Sequence, residues 1–279
     1  MQAIILGDGA MGTAIAAALR ARGEAVLGVH GRPKPGQTHS PADLRNDLGS
    51  TGAWGEIAGP RPAVRTGCNG GETLAFDFSA GDAVAANVDA ALAAGCRRFV
   101  IGTTAWEDQR DAVDRALLES GAAGVASASF SLGVALFARL VEEAGRLFSP
   151  FTEYDPFIVE WHRRTKPDRP SGTAKELSRR LIAAHGRKRR TTGPGQTAPP
   201  DHDELEVVAV RAGASPGMHL VGFDAPGETV ELRLTARDRS AYVAGALASA
   251  DWLLMTPRPA GLHPFESVVS DLISTTASN

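Results

Sequence analysis

The hydrophobic positions in the first half of the chain alternate between short apolar runs and stretches with helical spacing. Residues 3–6 form a continuous apolar run, and residues 10–22 follow with Met11, Ile15 and Leu19 on one helical face. The same pattern predicts further elements, in the order strand 25–29, strand 73–78, helix 82–94, strand 98–101, helix 107–119 and a strand around 125–126. Such alternation predicts a parallel, doubly wound α/β sheet.

The second half of the chain follows a different pattern. It predicts helix 132–147, strand 156–162, helix 173–185, strands at 205–211, 217–224 and 228–236, and a closing helix at 241–254. In the last strand Val230, Leu232 and Leu234 alternate with polar residues, which predicts a sheet with one face covered and one open to solvent or to a partner chain. We therefore expect one domain from residues 1–129 and 240–279, and an α+β domain with an open mixed sheet from residues 130–239.

Composition and charge narrow the class of protein. The chain has 279 residues, 43% of them hydrophobic, and a net charge of −3, so it can bury a core and has no overall basic field for nucleic acid. We interpret the basic residues 187–190 as a solvated loop, with nucleic-acid contact as the weaker alternative. Cys68 and Cys96 form neither a metal pattern nor a disulfide framework, which favours a reducing compartment. Because no apolar run approaches the ~20 residues of a membrane helix, we expect no membrane span. Together with the charge and the cysteine pattern, this predicts a cytoplasmic protein that binds neither metal nor nucleic acid.

A glycine-rich turn follows the first predicted strand and opens a helix. The pattern G-x-G-x-x-G requires this context: its glycines permit a tight turn, close approach of a pyrophosphate, and close packing of helix and strand. The alternative is a plain turn without a ligand. We predict a Rossmann-type dinucleotide site formed by Gly7, Asp8, Gly9, Ala10, Met11 and Gly12.

The end of the second predicted strand bears on the choice of cofactor. A site that prefers NAD places an acidic residue there to bind the ribose 2′-hydroxyl, but residues 29–34 contain no carboxylate. Arg32 and Lys34 are suited to a 2′-phosphate, unless they are ordinary loop charges. We predict that NADPH is preferred and that NADH is usable.

Two further turns are candidate cofactor contacts, because ligands bind outside the carboxyl ends of strands in such sheets. One turn contains Phe78 and Ser79, and the other contains Gly102, Thr103 and Thr104. Each of them alone is also compatible with a plain connection between a strand and a helix.

A histidine and a lysine lie close together in the second half of the chain. Glu160 and His162 share one face of a predicted strand, and a carboxylate beside an imidazole supports the cationic form of the imidazole. Lys166 follows in a proline-bounded loop. Imidazole can move protons near neutral pH, so this segment is a candidate for acid–base chemistry.

The Ser171-Gly172-Thr173 turn that follows opens a predicted helix. Free N–H groups at a helix start can hold an anion. Thr173 and Glu176 fit a capping box, which predicts that the helix starts at Thr173. Together with His162 and Lys166, the turn predicts a site that binds a carboxylate and protonates a group beside it. The alternative is a structural histidine next to surface charges.

At these residues the chain resembles the 4-hydroxy-tetrahydrodipicolinate reductases (dihydrodipicolinate reductases) of lysine and diaminopimelate synthesis. Residues 160–174 match the family signature E-x-H-H-x-x-K-x-D-x-P-S-G-T-A at all but one fixed position. Less specific matches run along the chain, at residues 7–12, 77–79, 100–104, 130–134, 211–213, 217–223, 227–228, 239 and 245–247.

The resemblance implies an NAD(P)H-dependent reduction of 4-hydroxy-tetrahydrodipicolinate, after loss of water, to tetrahydrodipicolinate. His162 would protonate the ring carbon next to the one that receives hydride. Lys166 would bind one carboxylate of this small cyclic dicarboxylate, and Ser171, Gly172 and Thr173 would hold the other. The resemblance also implies that the second domain binds substrate and assembles a homotetramer through its open sheet.

Two departures from the family pattern are informative. Arg163 stands where the family has a second histidine, and because arginine binds carboxylates bidentately we predict that it also contacts substrate. Ala128-Ser129 stands where the family usually has Pro-Asn. The resemblance implies that Ser129 and Phe130 flank the nicotinamide, and the departure predicts an altered geometry there.

Two other functions are compatible with parts of the pattern. A two-domain dehydrogenase acting on aspartate, homoserine or diaminopimelate would share the glycine-rich turn but not the Ser-Gly-Thr run after His-x-x-x-Lys. A non-catalytic NADPH-sensing module would keep the turn and would need no proton donor.

Overall fold

The computed structural model describes residues 1–31, 73–193 and 195–277. The chain divides into two compact units. Unit 1 comprises residues 1–131 and 242–279, and unit 2 comprises residues 132–241.

Unit 1 is built on a parallel sheet of six described strands. These are β1 (Gln2–Leu6), β2 (Ala25–His30), β3 (Thr73–Asp77), β4 (Arg98–Ile101), β5 (Ala123–Ala126) and β11 (Gly261–Pro264), in the spatial order β11-β5-β4-β3-β1-β2. Its helices are α1 (Ala10–Ala21), α2 (Val84–Ala94), α3 (Arg110–Glu119), α6 (Ser240–Met255) and α7 (Phe265–Ala277). Every strand pair in this sheet is parallel, so the predicted doubly wound parallel sheet is confirmed.

The strands of unit 1 are continuous apolar runs because the middle of the sheet is buried. All of β3 and nearly all of β1 are buried, as expected for parallel strands covered on both faces. The predicted helix 241–254 is confirmed as α6, but the expectation that it closes the chain was wrong. The chain continues into β11 and α7, and β11 adds an outer parallel strand beside β5.

Unit 2 is built on a mixed sheet of five described strands. They are β6 (Asp155–His162), β7 (Arg190–Thr191), β8 (Glu204–Arg211), β9 (Met218–Ala225) and β10 (Glu228–Thr235), in the order β10-β9-β6-β8-β7. β6 runs parallel to β8 and antiparallel to β9, which confirms the predicted mixed sheet.

Two helices cover one face of the unit 2 sheet. They are α4 (Leu132–Phe148) and α5 (Gly172–His185). Their apolar side chains share a core with the sheet, composed of Phe137, Ala138, Val141, Ile158, Leu177, Leu181, Leu205, Val221 and Phe223. On β6, Ile158, Glu160 and His162 are buried and alternate with more exposed neighbours. The polar pair therefore lies on the same strand face as a core residue.

The interpretation of the basic residues 187–190 as a solvated loop was wrong for Arg187 and Lys188, whereas Arg189 and Arg190 are exposed. Lys188 is 4% exposed and pairs with Asp155 at 2.6 Å. Arg187 donates to three backbone carbonyls, and Arg190 forms ion pairs with Asp201, Asp203 and Glu204. Arg187, Lys188 and Arg190 therefore have partners within unit 2. No helix among the described residues is long and apolar enough to cross a membrane.

Candidate active site

The carboxyl end of β6 brings four polar side chains together with its two neighbouring strands. In the strand register Glu160 lies opposite His219 on β9, and His162 lies opposite Arg211 on β8. Residues directly opposite each other in a sheet point to the same face. Sequence reasoning assigned no role to Arg211 or His219, because it does not reveal which strands are neighbours.

Glu160 is the buried centre of this cluster, with an exposed fraction of 0%. Its Oε1 accepts hydrogen bonds from the Ser171 N–H at 2.9 Å and from Arg211 at 2.8 Å. Burial raises the pKa of the Glu160 carboxyl, but the hydrogen bonds from Ser171 and Arg211 outweigh it and hold the pKa below its usual value. Glu160 is therefore a carboxylate that joins β6, β8 and the start of α5.

His162 is 8% exposed and lies beside the second carboxylate oxygen of Glu160. Its Nε2 is 3.3 Å from Glu160 Oε2, and its Nδ1 is 3.2 Å from the Pro216 carbonyl. Burial lowers the pKa of His162, and the positive charges of Lys166 and Arg211 add to this, against the opposing effects of Glu160 and the Pro216 carbonyl. An anion bound near Lys166 would reverse part of this shift.

The backbone at Gly217 gives the His162 ring its position. A Cβ atom at residue 217 would lie 2.8 Å from Cε1 and 3.1 Å from Nδ1 of the ring. Gly217→Ala must therefore displace the imidazole. We expect kcat to fall by about 10- to 100-fold, since small misplacements of reacting groups have effects of this size.

The matched control for this change is Gly227→Ala, in the turn between β9 and β10. A Cβ at Gly227 meets no atom within 4 Å. Steady-state kinetics of both variants check the prediction. Equal turnover in the two variants would show that the position of the ring is not critical.

Lys166 and Asp168 occupy the loop between β6 and α5. Lys166 Nζ is 2.7 Å from Asp168 Oδ1. Partial burial raises the pKa of Asp168, but hydrogen bonds from Lys166 and from the N–H groups of Asp168 and Gly172 bring it below its usual value. The lysine and the start of the helix, both predicted to bind substrate, thus hold a carboxylate of the protein itself.

The start of α5 differs from the predicted one. The N-cap is Ser171, whose Oγ accepts a hydrogen bond from the Ala174 N–H at 3.2 Å, and the helix begins at Gly172. The prediction of a start at Thr173 was wrong, because Glu176 pairs with Arg179 and Arg180 instead of closing a capping box.

The other predicted substrate contacts fall into two groups. Ser171 is buried and gives its N–H to Glu160, so it connects the cap to the buried cluster. Gly172 and Thr173 form the first turn of α5 beside Asp168. Arg163 follows β6 with an exposed side chain, and its N–H donates to the Ser215 carbonyl.

Asp168→Asn is expected to lower the KM for a dicarboxylate substrate about two- to fivefold. The substitution removes a competing carboxylate from Lys166, and a half-exposed ion pair is worth up to about 1 kcal/mol. Asp203→Asn breaks a comparable ion pair to Arg190 elsewhere in unit 2 and serves as the control. An increased KM in Asp168→Asn would mean that Asp168 supports substrate binding.

The turn between β1 and α1 has the geometry of a dinucleotide site. A Cβ at Gly12 would lie 1.8 Å from the Gly7 carbonyl oxygen, and Gly7 has a φ of +115°. Gly9 faces open space, and no side chain caps the N-terminus of α1, which begins at Ala10. Free N–H groups next to an open approach fit a pyrophosphate.

The two other candidate turns meet at the carboxyl ends of β3 and β4. Asp77 Oδ1 accepts hydrogen bonds from the Ser79 N–H at 3.0 Å and the Thr103 hydroxyl at 2.7 Å. A Cβ at Gly102 would lie 2.1 Å from the Phe78 ring. Sequence reasoning assigned no role to Asp77, although a buried acid at a strand end is a recognisable signal. Thr104 follows with an exposed side chain.

The remaining predicted cofactor contacts have mixed positions. Phe130 is 2% exposed and packs against Phe265, with ring centroids 5.1 Å apart, so it belongs to the core of unit 1. Ser129 is half-buried, and its carbonyl accepts from the Ser127 hydroxyl. Asp8 is exposed with its carboxylate beside Gly31, while Met11 is half-buried. Arg32 and Lys34 lie outside the described residues.

Known proteins match this chain over most of its length. The family model "Dihydrodipicolinate reductase, C-terminus" matches residues 133–269. A 4-hydroxy-tetrahydrodipicolinate reductase from Methanococcoides burtonii is 32% identical over 197 residues, which are 70% of this chain and 72% of that protein. One from Halorhodospira halophila is 35% identical over 199 residues, with coverages of 70% and 72%.

A solved structure shares the fold. The dipicolinate-bound dihydrodipicolinate reductase from Paenisporosarcina sp. TG-14 has a TM-score of 0.65 and 17% identity, and covers 95% of this chain and 97% of its own. At 17% identity the structural match shows a shared fold, whereas the sequence matches show membership of the family. The chain therefore belongs to the 4-hydroxy-tetrahydrodipicolinate reductase family of oxidoreductases.

Proposed function

We propose that this protein reduces 4-hydroxy-tetrahydrodipicolinate to tetrahydrodipicolinate in lysine and diaminopimelate synthesis. Unit 1 binds the nicotinamide dinucleotide, and unit 2 binds the dicarboxylate and supplies a proton from His162. The observation that carries the proposal is the carboxylate of Asp168, held by Lys166 and the Gly172 N–H in the loop that follows His162. A substrate carboxylate can replace Asp168 and accept hydrogen bonds from the same two groups.

The residues of unit 2 match what a dianionic substrate requires. Lys166 and Arg163 provide positive charge, and the Gly172 and Thr173 N–H groups provide donors at the positive end of the α5 helix dipole. Glu160 keeps Ser171 and the start of α5 next to His162. The start of α5, which is proposed to bind substrate, and the proton donor His162 therefore both contact the buried carboxylate of Glu160.

The proton comes from the imidazole. The reduced nicotinamide supplies the hydride when bound, and His162 protonates the adjacent ring carbon. Glu160 Oε2 favours the imidazolium before transfer, and the Pro216 carbonyl orients the ring through Nδ1. Positioned general acids contribute about 10²–10⁴-fold to rate.

NADPH is the preferred cofactor in this proposal, and NADH is usable. Family membership implies a nicotinamide cofactor, and Arg32 and Lys34 supply cations for a 2′-phosphate. Asp8 lies beside Gly31, at the end of β2, where a carboxylate can accept from the ribose hydroxyl of NADH. Arg32→Ala should raise the KM for NADPH more than that for NADH.

The open face of the unit 2 sheet supports the proposed homotetramer. Trp161, Val208 and Val210 are 40%, 42% and 38% exposed on neighbouring strands β6 and β8. Exposed apolar patches mark interaction sites, and a patch on an open sheet fits contact with another subunit.

One coupled assay tests the proposed reaction. Aspartate semialdehyde and pyruvate are condensed enzymatically in situ, NADPH is added, and its loss of absorbance is followed. Turnover supports the proposal. Intact NADPH binding without turnover would favour the sensing module or a changed substrate, and turnover of aspartate, homoserine or diaminopimelate with an oxidised cofactor would favour the other dehydrogenases.

The pH dependence should differ between the free enzyme and the complex. His162 must be protonated to act, and burial places its pKa below the usual value in the free enzyme, so kcat/KM falls as pH rises through that low pKa. A bound dianion raises the pKa, so the descending limb of kcat should lie at higher pH. Coincident limbs would contradict the role of His162 as the acid.

A further inference from the structure

Three side chains that can ligate a metal converge on the buried face at the end of β6. One donor atom from each of Glu160, His162 and His219 lies within 4.8 Å of the other two. The exposed fractions of these residues are 0%, 8% and 5%. Glu160 Oε2, His162 Nε2 and His219 Nδ1 have no hydrogen-bond partner in the described part of the chain. Since buried polar atoms normally have partners, this cluster points to a ligand.

The hydrogen bonds of the candidate ligands resemble those found in metal sites. His162 turns Nδ1 to the Pro216 carbonyl at 3.2 Å, and the tautomer protonated there leaves the Nε2 lone pair free. Glu160 accepts its two hydrogen bonds on Oε1, which leaves Oε2 free. Metal-bound histidines and carboxylates are typically held by such hydrogen bonds.

The neighbouring cationic side chains leave the ligand atoms of the cluster accessible to a further ion. Lys166 pairs with Asp168, and Arg211 bonds Glu160 through Oε1 and not through Oε2. Each of the two histidines presents a ring nitrogen without a hydrogen-bond partner in the described part of the chain, Nε2 of His162 and Nδ1 of His219. A neutral imidazole is the form that binds metals.

We propose that Glu160, His162 and His219 bind a Zn²⁺ ion, and that this ion inhibits the enzyme by occupying Nε2 of His162. Two histidines and one carboxylate with an open fourth position form a known Zn²⁺ ligand set, and neighbouring ligand atoms of a tetrahedral ion lie about 3.4 Å apart. The 3.3 Å between Glu160 Oε2 and His162 Nε2 already fits this spacing. The His219 ring, 5.2 Å from the His162 ring between centroids, completes the set.

This site was not expected from the sequence, which predicted no metal. The inhibition rests on the proposed reductase function, whereas binding of the ion does not. Two readouts therefore separate the two ideas: the spectrum of bound Co²⁺, which needs no turnover, and the effect of Zn²⁺ on the reductase assay.

The test uses the full chain after removal of metals with a chelator. Co²⁺ is expected to give the intense visible absorption of a four-coordinate ion, and Zn²⁺ should displace it at one equivalent. Zn²⁺ should inhibit turnover at micromolar concentration, and added chelator should restore it. No protein-dependent Co²⁺ band would overturn the site, even if the enzyme reduces its substrate. A band without inhibition would overturn the inhibitory role.

His219→Gln tests the third ligand. This variant should lose the band and need at least about tenfold more Zn²⁺ for half-inhibition of its own rate, because loss of even an outer contact weakens metal sites 10- to 100-fold. His219→Asp keeps a ligand atom and should retain part of the affinity, which guards against a merely misfolded His219→Gln. The control is His202→Gln, at an exposed histidine of the same unit. Equal Zn²⁺ sensitivity of the wild type and both His219 variants would refute the site.

Discussion

His162→Gln is expected to lower kcat by about 10²–10³-fold while the KM for the dicarboxylate changes little. Glutamine keeps a polar group of similar length but cannot supply a proton, and general acids contribute about 10²–10⁴-fold. Lys166 and the N–H groups at the start of α5, which donate to the substrate carboxylates, stay in place, so substrate binding should persist. Steady-state kinetics over a range of pH also check that the limb assigned to His162 disappears.

Two measurements show whether a loss of activity in His162→Gln has a cause other than the missing proton donor, such as misfolding. NADPH binding, followed by fluorescence, should be unchanged in His162→Gln because the glycine-rich turn belongs to unit 1. His202→Gln, at an exposed position, should have wild-type kcat. A His162→Gln variant with more than a tenth of the wild-type kcat would remove His162 from the role of proton donor.

Glu160→Ala is expected to lower the free energy of unfolding of unit 2 by about 3–5 kcal/mol. Removing one partner of a buried ion pair leaves the other charge uncompensated, which costs about this much. Arg211 is 8% exposed in its side chain and is paired with Glu160 at 2.8 Å. The Ser171 N–H would lose its acceptor as well. Urea denaturation followed by circular dichroism measures the change.

Glu231→Ala is the matched control, since this glutamate lies exposed on β10 of the same sheet. It should change the free energy of unfolding by less than about 0.5 kcal/mol. A loss below about 1 kcal/mol in Glu160→Ala would show that the buried cluster is not a main source of stability.

The sequence predicted the elements of both units well where hydrophobic periodicity was strong. It missed β11, because Gly261–Pro264 is four residues long and contains a glycine and a proline. Such a strand is specified by its neighbour β5, with which it pairs in parallel, more than by its own residues. The helix cap was misplaced for a similar reason: Ser171 and Thr173 both have capping side chains, and the hydrogen bond from the Ser171 N–H to Glu160, which the sequence does not reveal, favours Ser171.

The candidate site was predictable only in part. Alternation placed Glu160 and His162 on one face of β6, in agreement with their burial. Arg211 and His219 come from strands whose pairing with β6 depends on the whole sheet, so no local pattern assigns them to the site. The Asp168 carboxylate on Lys166 was likewise invisible, because the fold of the loop decides which of several charges Lys166 contacts.

The most direct test of the proposed substrate site is a crystal structure of the protein with dipicolinate, a planar cyclic dicarboxylate. We expect one carboxylate to replace Asp168, at a hydrogen-bonding distance of about 3 Å from Lys166 Nζ and the first N–H groups of α5, with the ring next to His162. A complex in which the Lys166–Asp168 pair stays intact and the ligand avoids both the start of α5 and His162 would contradict the proposed site.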